Sequence, residues 1–156
     1  MALQLSLLDP ADVDATMAVV RRSFEACVAP DYAPEGRELF ARVVTAEYLC
    51  SLPHRQGFTL VANLDGRTLG MCSFRDGHHI TLFFVLPEFQ GQGIGRKLFD
   101  AAAERVRRNV PGVTKLEVHS SPVAVPVYEA LGFAVAGPEE VEGGMRYIPM
   151  ERSLVT

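Results

Sequence analysis

The run Ile80-Thr81-Leu82-Phe83-Phe84-Val85-Leu86-Pro87-Glu88-Phe89-Gln90-Gly91-Gln92-Gly93-Ile94-Gly95-Arg96-Lys97 decides how this chain folds. Its first seven residues are mostly apolar, rich in β-branched and aromatic side chains, and halted by Pro87, which predicts a strand. From there Ile94, Leu98, Ala102 and Val106 recur at every fourth position with Arg96, Lys97, Asp100, Glu104, Arg107 and Arg108 between them, which predicts an amphipathic helix. Strand, glycine-rich turn and helix follow one another directly.

That order carries chemistry. The first turn of a helix presents unpaired backbone N–H groups at the positive end of the helix dipole, so an anion is its natural ligand. Glycines at 91, 93 and 95 let a phosphate approach the backbone, and Arg96 and Lys97 add positive charge. A diphosphate fits such a loop. A P-loop would follow its lysine with Ser or Thr, and here Leu98 follows Lys97. A dinucleotide fingerprint would read Gly-x-Gly-x-x-Gly after a first strand, whereas this loop is Gly-x-Gly-x-Gly beyond mid-chain.

The chain has 156 residues, 48% of them hydrophobic, with a slightly positive mean hydropathy, which predicts one domain over residues 1–156 with a substantial core. A net charge of −4 with dispersed basic residues gives no footprint for nucleic acid or an anionic membrane. Neither a membrane span nor a signal-peptide pattern is visible, so a cytoplasmic location is expected. Cys27, Cys50 and Cys72 lack metal or redox spacing and read as reduced, largely buried residues, and no metal is expected.

Residues 3–8 suit a first strand, and Asp9-Pro10 opens a helix whose apolar face is Val13, Met17, Val20, Phe24 and Cys27, ending before Pro30. Pro34 opens a second helix, with Leu39, Val43 and either Val44 or Ala46 inward, as far as Leu52-Pro53. Residues 58–64 and 68–74 form a hairpin about Asp65-Gly66, and residues 75–78 turn into the strand from Ile80. Beyond the central helix, Val110-Pro111-Gly112 is a stop and residues 115–119 alternate as a strand. Ser121-Pro122 then starts a short helix carrying Ala124 and Tyr128 and closed by Gly132-Phe133. Pro126 falls inside that helix, where it removes a hydrogen bond unless the first turn is irregular. Glu142-Gly143-Gly144 is a turn between strands at 133–136 and 145–152.

Gln90, Gly93 and Gly95 preceded by Pro87 resemble the acyl-CoA signature of the GNAT superfamily of N-acyltransferases, Gln/Arg-x-x-Gly-x-Gly/Ala. Ala124, Tyr128, Gly132 and Phe133 resemble its other signature, Asn-x-x-Ala-x-x-x-Tyr-x-x-x-Gly-Phe, with Ser121 in place of the asparagine. The resemblance implies an α/β (α+β) fold, a mixed and mostly antiparallel sheet of about six to seven strands flanked by about four helices. It implies acetyl-CoA as cosubstrate and a primary amine as acceptor, and it admits a homodimer; a small-molecule acceptor is expected before a protein because the compact single domain shows no peptide-docking feature. A non-catalytic acyl-CoA sensor is the reading from another class.

By the same resemblance, Phe84, Val85, Gln90, Gly91, Gln92, Gly93, Ile94, Gly95, Arg96, Lys97 and Ser121 hold the CoA, and Tyr128 is the acid for the departing thiolate. The first two helices and their loop would flank the acceptor, offering Tyr32, Glu35, Arg37, Glu38 and Glu47. Only about 0.04% of a lysine-like amine is neutral at pH 7, so a proton must be taken from it. His119, His79 and Glu117 are candidates for that base, and relay through ordered water is equally consistent with the sequence.

Overall fold

The computed structural model describes residues 2–154; Met1, Val155 and Thr156, the ends of the expected single domain, lie outside the described residues. The chain opens with strand β1 (Gln4–Leu7). The Asp9 carboxylate then accepts from the Ala11 N–H over a single turn, Pro10–Asp12, and helix α1 (Val13–Ser23) follows. Its last turns widen into a π-helical segment, Phe24–Val28, which keeps Phe24 and Val28 buried. Helix α2 (Pro34–Val43) and helix α3 (Ala46–Ser51) are separate.

Two sequence expectations change there. The second helix breaks at Val44 because Thr45 accepts from the Tyr48 N–H and caps a new one. Gly36 is the buried residue of α2, with Leu39, Phe40 and Val44 half-buried as its inward side, while Val43 stands 49% exposed. Cys50 is likewise exposed and Cys27 half-buried; of the three cysteines only Cys72 is buried.

Strands β2 (Phe58–Leu64), β3 (Arg67–Arg75) and β4 (His79–Val85) form an antiparallel meander. Positive φ at Asp65 and Gly66 lets that two-residue turn follow the twist of its strands, and positive φ at Asp76 and Gly77 opens the three-residue turn, Asp76 to His78, between β3 and β4. A 3₁₀ turn, Pro87–Phe89, leads to helix α4 (Ile94–Asn109), which buries Ile94, Leu98, Phe99, Ala102, Ala103 and Val106. Close approach of α4 to the sheet depends on Gly70, where a Cβ would sit 3.1 Å from Leu98 Cδ1. Strand β5 (Lys115–Ser120) alternates as expected, with Leu116, Val118 and Ser120 inward.

Helix α5 (Val125–Ala130) is preceded by a 3₁₀ turn over Pro122–Ala124, so Pro126 falls in the first turn of α5, where no intrahelical donor is lost. Gly132, at φ +95, and Phe133 close the helix onto the Glu129 and Tyr128 carbonyls. The last strands are β6 (Ala134–Val135), β7 (Glu140–Glu142) and β8 (Met145–Ser153). β7 is a strand that the sequence reading missed; it pairs with β8 across the Gly143-Gly144 turn.

The sheet runs β1-β2-β3-β4-β5-β8-β6, with β7 added to β8. Among the described residues it holds eight strands and five α-helices, close to the expected mixed, mostly antiparallel sheet. The β4–β5 contact is parallel and short: His79 pairs with Glu117, Ile80 with Val118, and the strands then part. A bulge sits at that point, since Ser73 pairs with Leu82 and Phe74 with Ile80, leaving Thr81 as the extra residue. Tyr48 of α3 fixes the bulge through a 2.5 Å hydroxyl contact with Thr81 Oγ1.

Candidate active site

A cavity of about 440 Å³ fills the fork between β4 and β5. Side-chain alternation along β4 gives it two ends. Phe83 faces α4 and α5: its ring is 6.0 Å from that of Tyr128, and a Cβ on Gly95 would sit 3.5 Å from Phe83 Cζ. Phe84 faces the opposite way and packs with the Phe24, Val28 and Ala29 cluster beside Tyr32 and Phe40. One cavity therefore passes through the sheet, from the start of α4 to the face covered by α1 and α2.

At the α4 end, Gln90, Gly91, Ile94 and Gly95 line the cavity. Gly91 and Gly93 have φ of +79 and +84 with nothing within 4 Å of an added Cβ, so the turn needs glycine for its backbone and leaves open space beside it. Gly93 is the N-cap, and the first bond of α4 runs from the Lys97 N–H to the Gly93 carbonyl. The Ile94, Gly95 and Arg96 amides precede that bond and lie at the positive end of the helix. This cradle of free amides and missing side chains suits a diphosphate.

Gln92, Gly93, Arg96 and Lys97 are outside the cavity lining and exposed. Arg96 does not stand free as the sequence suggested: its guanidinium donates to the Ala130 carbonyl at 2.6 Å and ties α4 to the end of α5. The Leu86 N–H donates to Leu69 across β3, so by alternation the backbone groups of Phe84 also point to β3, and those of Phe83 and Val85 point into the fork. The Val85 carbonyl already accepts from Ser23 Oγ at 3.3 Å and Gln90 Nε2 at 3.0 Å. Phe83, which the sequence reading did not assign to the site, thus turns its backbone to the gap together with the Val85 N–H; the bond register identifies it, which no motif encodes.

Tyr128, Ala124, Val127 and Ser121 form the α5 wall. The Tyr128 ring packs edge-to-face on Phe133 at 5.5 Å and is 7% exposed. Burial holds its phenol far above the ordinary value of 10.0, so the hydroxyl keeps its proton. At the other end His119 lines the cavity from β5. Its ring stacks on Tyr147 of β8 at 4.4 Å and meets His79 edge-to-face at 4.7 Å. Desolvation by these neighbours, then the Arg75 guanidinium, sets its pKa below the ordinary 6.5.

His79 is 8% exposed and lies behind His119, outside the lining. Burial first, then Arg75, lowers its pKa to about 3, so it is neutral. Glu117 also lies outside the lining, where its carboxylate receives His78 Nε2 at 3.0 Å. Of the three base candidates, only His119 meets the cavity. Tyr32 lines it too, whereas Glu35, Arg37, Glu38 and Glu47 do not. Cys27, Phe40 and Thr81 complete that end; the Gly36–Phe40–Val44 spacing on α2 was the readable sign for Phe40.

Residues 28–154 match the acetyltransferase (GNAT) domain family. Among solved structures, a GCN5-related N-acetyltransferase from Rhodopseudomonas palustris superposes with a TM-score of 0.82 at 25% identity, covering 99% of this chain and 97% of that one. The PaiA N-acetyltransferase from Thermoplasma acidophilum, solved in complex with coenzyme A, gives 0.81 at 20% identity, covering 98% and 99%. A curated relative, the peptidyl-lysine N-acetyltransferase YjaB of Salmonella typhimurium, is 35% identical over 66 residues, and that match spans 42% of this chain and 43% of the relative.

Proposed function

The chain belongs to the GNAT acetyltransferase family, and from that premise we propose that it transfers the acetyl group of acetyl-CoA to the primary amine of a small molecule. The observation that carries this reading is the single cavity that joins the glycine cradle of α4 to Tyr128 and His119 through the β4–β5 fork.

Gly91, Ile94, Gly95 and the Arg96 amide would receive the diphosphate of CoA, and the Phe83 backbone, Ala124 and Ser121 would flank its arm. Acetyl-CoA supplies the activated acetyl thioester. The amine nitrogen forms the new bond to the acetyl carbon as the carbon–sulfur bond breaks, and two protons must move. Nε2 or Nδ1 of His119, neutral at pH 7, accepts the proton lost by the amine, directly or through water. The Tyr128 hydroxyl, protonated throughout the working range, gives one to the leaving sulfur. His79 keeps the His119 ring in place without sharing its charge.

Transfer to a lysine of a protein is the second reading, favoured by the match to a peptidyl-lysine N-acetyltransferase. The experiment for both is release of free CoA, followed with a thiol reagent, from purified protein given acetyl-CoA and amines including polyamines, amino acids, aminoglycosides and peptides. Release with a free amine supports the first reading, and release with lysine peptides alone supports the second. An absence of acetyl-CoA binding by calorimetry overturns both.

A further inference from the structure

We infer that the acceptor is a primary amine on a compact apolar body, aromatic by preference, that carries neither a carboxylate nor a second cation. This inference rests on the acetyl-transfer reading and narrows its substrate.

The first observation is the charge of the wall. Among the described residues that line the cavity there is no Asp, Glu, Lys or Arg. A polyamine would bring a second ammonium into this chamber, and a free amino acid a carboxylate, with no charged partner in the lining for either; Arg75, Glu117, Glu140 and Glu142 act on His119 from beyond it. Burying an unpaired charge costs several kcal/mol at least. Of the polar groups at the acceptor end, Thr81 Oγ1 is engaged with the Tyr48 hydroxyl and Cys27 Sγ with Gln90 Nε2, so those that meet the acceptor are the Tyr32 hydroxyl and the His119 imidazole, neither of them charged at pH 7. A lone amine escapes the penalty, because an apolar chamber favours its neutral form, the form that attacks.

The second observation is the shape and chemistry of that end. Phe40 stacks face to face on Phe24 with centroids 3.8 Å apart, and Tyr32 meets Phe24 edge-on at 5.6 Å. With Phe84 beside them they make an aromatic box opposite His119. Helix α2 carries Phe40 into this cluster and meets the β7–β8 turn. The Ala33 N–H donates to the Gly144 carbonyl at 3.2 Å, and a Cβ on Gly36 would lie 2.3 Å from that same oxygen. This backbone-to-backbone contact fixes α2, and with it Phe40, beside the cavity, and a peptide acceptor would bring its own backbone polar groups against that apolar wall.

The test measures kcat/KM by CoA release from the full chain at saturating acetyl-CoA, with phenethylamine, spermidine, free lysine and a lysine peptide. Phenethylamine is expected to exceed each of the others by ~10-fold or more. Phe40→Leu is expected to raise its KM ~5-fold or more with kcat and calorimetric acetyl-CoA affinity little changed, circular dichroism verifying the fold. Equal or better turnover of spermidine, lysine or the peptide overturns the inference, as does failure of every arylalkylamine. If another amine then turns over, acetyl transfer stands and only the substrate class is lost. Absence of acetyl-CoA binding removes both.

Discussion

The imidazole of His119 lies nearly parallel to the phenol ring of Tyr147, at an interplanar angle of 19° and a centroid separation of 4.4 Å. The two residues come from β5 and β8, adjacent strands that pair antiparallel, so the sheet itself sets the orientation of the proposed base. The pKa of His119 is held below 6.5 chiefly by desolvation. The acid limb of kcat, read with both substrates saturating, should therefore lie below pH 6.5. Tyr147→Ala uncovers the ring and should move that limb upward, with kcat falling ~10-fold, while Tyr147→Phe keeps both. His119→Ala should abolish the limb and cost ~10²-fold or more in kcat. An acid limb unmoved in Tyr147→Ala would count against this arrangement.

Tyr128 should separate binding from chemistry. Its phenol stays protonated because it is buried between α5 and β4, so it has a proton to offer the leaving sulfur. Tyr128→Phe preserves the packing on Phe83 and Phe133 and removes only the hydroxyl. The expected outcome is a ~10²-fold loss of kcat with little change in calorimetric acetyl-CoA affinity. Unchanged turnover in this variant would remove Tyr128 from the mechanism.

His79 makes the fold sensitive to acid. Its pKa is lowered from 6.5 to about 3 by burial and by Arg75, so the unfolded chain binds a proton there between those values and the native state does not. Stability contributed by neutral His79 is thus fully present above pH 6.5 and is lost as pH falls toward 3. The slope cannot exceed about 1.4 kcal/mol per pH unit from this one group. Urea unfolding at pH 7 and pH 5 should show wild type losing more stability than a His79→Leu variant. Identical pH dependence would mean that His79 is not neutral in the fold.

The centre of this chain was legible because its signals are local. Ile94, Leu98, Ala102 and Val106 repeat with the helical period, and Asp65-Gly66 demands a hairpin wherever the flanking strands go. The acceptor end was not legible to the same degree, because its parts meet only in three dimensions. Nothing near Thr81 announces a bulge; it arises from the register of β4 against β3 and the reach of Tyr48. The sequence reading put Glu142 in the turn with Gly143-Gly144 and assigned nothing to Glu140 and Val141, yet all three become a strand because β8 offers an edge. His119 and Glu117 share one face of β5, so spacing alone could not rank them. The His78 contact draws Glu117 away and leaves His119 at the cavity.

The contact between α2 and the β7–β8 turn can be tested at Gly36. In an exposed helix Gly→Ala stabilises by up to about 1 kcal/mol, since alanine loses less backbone freedom on folding. At Gly36 the added Cβ would lie 2.3 Å from the Gly144 oxygen and 2.4 Å from its carbonyl carbon, and backbone on both sides must give way. Gly36→Ala should therefore destabilise by about 1–3 kcal/mol despite the gain in helix propensity. Gly66→Ala is the reference: its φ is +80 with nothing within 4 Å of the new atom, so its cost reflects backbone strain alone. Because the clash lifts α2 from the turn, Gly36→Ala should also raise KM for the amine and leave acetyl-CoA binding at α4 unaltered. Urea denaturation and calorimetry read the two effects separately. A Gly36→Ala protein as stable as wild type, with an unchanged amine KM, would show that α2 is not held in place by this contact.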